Sequence, residues 1–68
     1  MTATESWVSA QLLNGPRNRF ELVAIPDSPL ERDTSYRILK AMEQKRLIRS
    51  GIENVKASHR MYSLYDLP

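Results

Sequence analysis

The chain has 68 residues and a mass of 7.9 kDa, with 41 % hydrophobic and 26 % charged residues, the composition of a single small folded domain spanning residues 1–68 and not of a disordered or multidomain protein. Cysteine is absent, which excludes disulfides, thiol nucleophiles and cysteine-ligated zinc, and the one histidine, His59, cannot build a histidine cluster. The net charge of +2 hides a division: residues 1–31 carry two basic against four acidic side chains, a net of −2, whereas residues 32–60 carry eight against three, a net of +5, which a fold can gather into one face for a polyanion or spread as solubilising charge.

Thr2 and Glu5 have capping-box spacing and predict a helix that runs through Trp7, Val8, Leu12 and Leu13 to the stop at Asn14-Gly15-Pro16. Val8 and Leu12 mark its inner face, with Trp7 packing at the edge. Asn18 and Glu21 repeat the cap spacing. Phe20, Val23 and Ala24 then recur at helical intervals, predicting a short second helix ended by Pro26, although Phe20, Leu22 and Ala24 also alternate as in a strand. Ser28, Pro29 and Glu31 signal a further helix or single turn, and Asp33 offers the N-cap for the main part of a principal helix over residues 33–46. Its periodicity turns Ser35, Ile38, Leu39 and Met42 to one face and Tyr36, Arg37, Lys40, Glu43 and Gln44 to the other.

Two strands follow, over residues 47–52 and 59–65, joined by the polar loop 53–58 into a long hairpin. In the second strand Arg60, Tyr62 and Leu64 share one side and Met61, Ser63 and Tyr65 the other; alternation alone leaves open which side faces the core. No apolar run approaches the length of a membrane span, and the N-terminal residues lack the pattern of a secretory signal, so the expected location is the cytoplasm, with no membrane partner. No Ser, His and acid arrangement has a recognisable spacing, and Gly15 and Gly51 do not form a phosphate-cradling loop; neither an enzyme nor a cofactor or metal site is expected.

Residues 33–51, followed by Arg60-Met61-Tyr62-Ser63-Leu64, resemble the recognition helix and wing of winged helix-turn-helix DNA-binding domains. The resemblance covers about the last half of the chain and rests on Tyr36, Arg37, Ile38, Leu39, Leu47, Ile48, Arg60, Tyr62 and Leu64. It implies an α+β fold of three helices followed by a two-stranded β-hairpin wing. Two features depart from the pattern. Arg46 stands where many relatives have a glycine, which leaves the shape of the helix-to-wing junction open. The nine residues 26–34 exceed the three or four of the usual turn, so either an extra short helix lies at residues 29–32 or the second helix belongs elsewhere.

The function implied by the resemblance is that of a small transcriptional regulator, bacterial, phage or plasmid, which sets helix 33–46 in the major groove of double-stranded DNA and its basic wing on the backbone or minor groove. Arg37 and Lys40 are then candidates for base edges or phosphates, with Thr34, Tyr36 and Gln44 beside them. Thr34, Ser35 and the helix N-terminus are candidates for holding a phosphate, which Asp33 opposes unless turned into the cap. Lys56, His59 and Arg60 would touch the backbone or minor groove, and Arg49 a phosphate. The plain alternatives are that Arg37 and Lys40 are solvated and that Tyr36 packs over the hairpin, with Tyr62 in the core. A second copy, as a dimer or side by side on DNA, is a further expected partner. The competing reading is a protein–protein interaction module that binds a host or regulatory protein through the Trp7 and Tyr36 surfaces, and a third is single-stranded nucleic acid stacked on Tyr36, Tyr62 and Tyr65.

Overall fold

Two capping boxes set the first two helices. A computed structural model describes residues 1–54 and 59–65, with residues 52–54 and 59 described by their backbone. Helix α1 spans Ala3–Leu12. The Thr2 hydroxyl accepts from the Glu5 N–H at 3.1 Å and the Glu5 carboxylate accepts from the Thr2 N–H at 2.8 Å, which satisfies two amides left over at the helix start. The helix tightens at its end through bonds from Leu13, Asn14 and Gly15 to carbonyls three residues back, and Gly15 takes the positive φ of 124° that a side chain would resist. Helix α2, Arg19–Ala24, has the same reciprocal arrangement, at 2.8 and 2.9 Å, between Asn18 and Glu21. Ile25, before Pro26, is extended and ends it.

The inward residue of α2 is Leu22, fully buried, while Phe20 and Ala24 are exposed. Of Phe20, Val23 and Ala24, which recur at helical intervals, only Val23 packs against the core. A six-residue helix has too few turns for periodicity to choose among neighbouring apolar residues.

No helix forms over residues 29–32, where the chain only enters a turn at Arg32, and α2 stands where its cap signal put it, so neither explanation of the long connection holds. The Ser28 hydroxyl accepts from the Leu30 N–H at 3.1 Å, bending the chain so that the Leu30 side chain enters the core at 4 % exposure. The connection is long because it delivers a core residue. Helix α3 then spans Ser35–Gln44 with Thr34, not Asp33, in the capping position, and the Thr34 side chain makes no cap bond. Instead the Ser35 N–H bonds to the Glu31 carbonyl at 2.8 Å, so a turn feeds directly into the helix and Asp33 is left exposed.

Past α3, the Arg46 N–H bonds to the Glu43 carbonyl and the Leu47 N–H to that of Met42, with Arg46 at φ 60°. These are the two reverse bonds of a Schellman ending, in the left-handed conformation that glycine favours. Arg46 thus makes the turn a glycine would make.

Strand β2, Ile48–Asn54, and strand β3, His59–Leu64, pair antiparallel, with Ile48 opposite Leu64, Ser50 opposite Tyr62 and a bulge between Ile52 and Asn54. A third strand, which we label β1, lies between α1 and α2. It is Arg17–Asn18, paired antiparallel with β3 so that Arg17 faces Tyr62 and Asn18 faces Met61. The expected two-stranded hairpin is corrected to a three-stranded sheet of order β1-β3-β2. Two residues cannot display alternation, so this strand left no trace in the sequence pattern. The fold is α+β, three helices and an antiparallel sheet, around Val8, Leu12, Leu22, Leu30, Leu39, Met42, Ile48 and Tyr62.

Candidate functional site

Helix α3 buries Ser35, Leu39 and Met42 and packs Ile38 against the core, as its period requires. At 100° per residue the direction opposite that face is occupied by Arg37, Lys40 and Gln44, which lie within about 60° of one another on the helical projection. All three are exposed, and among the described residues Arg37 and Gln44 have no hydrogen-bond or ionic partner. Lys40 has its ammonium 5.9 Å from the centroid of the Tyr36 ring, one turn earlier. Tyr36 is half exposed and stands on the flank of the stripe.

The same flank meets the sheet. Glu43, one further turn along from Lys40, accepts a hydrogen bond from the Ser50 hydroxyl of β2 at 3.0 Å. Tyr62, opposite Ser50, is buried at 3 % exposure, which settles that the Tyr62 side of β3 faces inward. Burial raises the Tyr62 phenol above its ordinary range, and the Glu43 charge pushes it the same way. Arg60 and Arg19 act on it in the opposite sense. Charges carried by α3, β3 and α2 thus act on one phenol.

The other candidates are placed less uniformly. Thr34 is exposed at the start of α3. Ser35 is fully buried, with its hydroxyl donating to the Arg32 carbonyl at 3.1 Å and accepting from the Arg19 guanidinium at 3.2 Å. That removes it from the surface and makes it a tie between α2 and α3, because the first residue of α3 lies on the inward face. Arg49 is exposed on β2, but strand alternation turns it to the sheet face opposite Ser50 and hence away from α3. His59 takes its place on β3 opposite Asn54, and Lys56 lies outside the described residues.

Two participants were not foreseen. Arg19 bonds the Arg32 carbonyl at 3.1 Å as well as Ser35, and stacks 4.6 Å from the Phe20 centroid. A contact spanning 13 to 16 residues has no signature in local spacing. Lys45 pairs with Glu5 at 2.7 Å, joining the end of α3 to the start of α1 beside a shallow depression lined by Met1, Thr2 and Leu47. This hydrogen bond and the Thr2 amide hold the Glu5 carboxyl below its ordinary value of 4.5.

Among the described residues no cluster of three His, Asp or Glu side chains is placed to hold a metal, and no helix is long and apolar enough to cross a membrane. No protein-family model matches the chain, nor does any curated protein or solved structure.

Proposed function

We propose that this chain binds double-stranded DNA as a winged helix-turn-helix domain, with α3 in the major groove and the β2–β3 hairpin as the wing, acting as a small cytoplasmic transcriptional regulator. The observation that carries this reading is the exposed Arg37, Lys40 and Gln44 stripe directly opposite the buried face of α3. A helix presents such a stripe to a groove of B-DNA while its other face stays in the core. The order of elements, the pairing of β1 with the hairpin, and the exposed Arg60 of β3 are compatible with it. The +5 balance of residues 32–60 supplies long-range attraction to phosphate.

The competing reading, a protein-binding module, draws on Tyr36 at 50 % exposure. Trp7 supports it less, being packed against the core. Fluorescence anisotropy of a labelled mixed-sequence duplex, titrated at several salt concentrations, separates the two. The DNA reading expects affinity that falls by roughly 0.9 log units per phosphate contact for each log unit of salt. A folded protein that leaves the duplex free at low salt overturns it and favours the protein partner.

A further inference from the structure

Resting on the DNA reading, we infer that α3 reads two adjacent guanines and, with one uncontacted base pair between, an adenine, in one polarity or the other, on a single strand. Three observations combine. First, the stripe opposite the core is composed of hydrogen-bond donors: the guanidinium of Arg37 and the ammonium of Lys40 donate only, and the Gln44 amide both donates and accepts. Guanine offers two acceptors, O6 and N7, in the major groove and suits Arg37 and Lys40; adenine offers an acceptor and a donor and suits Gln44. Second, from Arg37 to Gln44 the helix rises about 10 Å, or three base-pair steps of about 3.4 Å, so the stripe spans four base pairs, with Arg37 and Lys40 on neighbouring pairs and Gln44 two steps further along. Third, the carboxylate that would accept from cytosine N4 is engaged elsewhere. Glu43 lies on the sheet-facing flank and takes its hydrogen bond from Ser50 at 3.0 Å. With that acceptor drawn to β2, cytosine on the contacted strand finds no acceptor opposite Arg37 or Lys40. Tyr36 borders it as an apolar edge, held beside Lys40.

The test is selection from a pool of random duplexes retained by the folded protein at fixed moderate salt, followed by the same selection with Arg37→Ala, Lys40→Ala and Gln44→Ala, each checked for its fold by circular dichroism. All three positions are exposed, so the variants should keep the native spectrum. The wild type should enrich a four-base core of two adjacent guanines and an adenine, with one unspecified position between the second guanine and the adenine. Each alanine variant should lose preference at one position of that core by about 5- to 150-fold while retaining the other two. Retention of duplex without an enriched core, an enriched core of A·T pairs lacking guanine, or a core unchanged by the three substitutions overturns the base assignment and leaves the DNA reading standing. Failure to retain any duplex overturns both.

Discussion

Arg46 sits in the left-handed backbone region, and Glu5 is a buried carboxylate paired with Lys45. At φ 60° Arg46 occupies a conformation that costs a non-glycine residue roughly 1–2 kcal/mol, and it holds the two reverse hydrogen bonds that end α3. Arg46→Gly should therefore stabilise the chain by up to about 1 kcal/mol after glycine's extra entropy loss, read as a higher urea midpoint, whereas Arg46→Ala should give no such gain. A lower midpoint for the glycine variant would show that the Arg46 side chain contributes more than its backbone costs. Glu5 predicts the acid response. Its carboxyl is held below 4.5, chiefly by Lys45, so the folded state binds that proton more weakly than the unfolded chain. The stabilisation is present above the ordinary carboxylate range and is lost as pH falls through the lowered one. Lys45→Gln should have a lower urea midpoint than the wild type near about pH 6, and the gap should narrow as pH falls below the ordinary carboxylate range and Glu5 protonates. A gap that does not change with pH would assign the Lys45 effect to something other than charge.

Among the elements, those with a local signal were legible and those made by distant contacts were not. Thr2 with Glu5 and Asn18 with Glu21 announced α1 and α2 because a capping box is written in residues three apart. The inward face of α3 followed from its period. The signal at residues 28–31 is locally just as strong, yet no helix forms there, because the Ser28 bond that would begin one serves instead to bury Leu30. Leu30→Ala should then cost about 2–5 kcal/mol, as for a core leucine inside a helix. That is a large share of the roughly 3–5 kcal/mol margin expected of so small a core, so the variant should unfold at a much lower urea concentration than the wild type. A loss under 1 kcal/mol by chemical denaturation would mean that the connection lies on the core without filling it. Strand β1 was illegible for a different reason: its two residues acquire meaning only from Tyr62 and Met61, more than forty positions away.

At the scale of the whole molecule, the uneven charge was visible in the sequence, but which basic residues share a face depended on the pleat and on the approach of α3 to β2. The candidate surface read from the sequence put Arg49 alongside Arg37 and Lys40, and exposure alone keeps all three. The Glu43–Ser50 bond fixes which side of β2 meets the helix, and neighbouring residues of a strand point to opposite sides, so Arg49 belongs to the other surface. This yields a contrast that composition cannot produce, since each change removes positive charge. In the DNA reading, Arg37→Ala with Lys40→Ala should weaken duplex binding at least about 10-fold and lower the salt slope by up to about two units, one for each contact that had been to phosphate. Arg49→Ala removes one charge at a distance from the groove and should stay within about 2-fold, through the general attraction of the protein's field alone. The measurement is duplex affinity across a salt series for the three proteins. Equal losses per charge removed would mean that binding follows the net charge of the whole surface, and that no one face of the fold is the binding face. Losses confined to the double variant would tie binding to the side of α3 that the core leaves free.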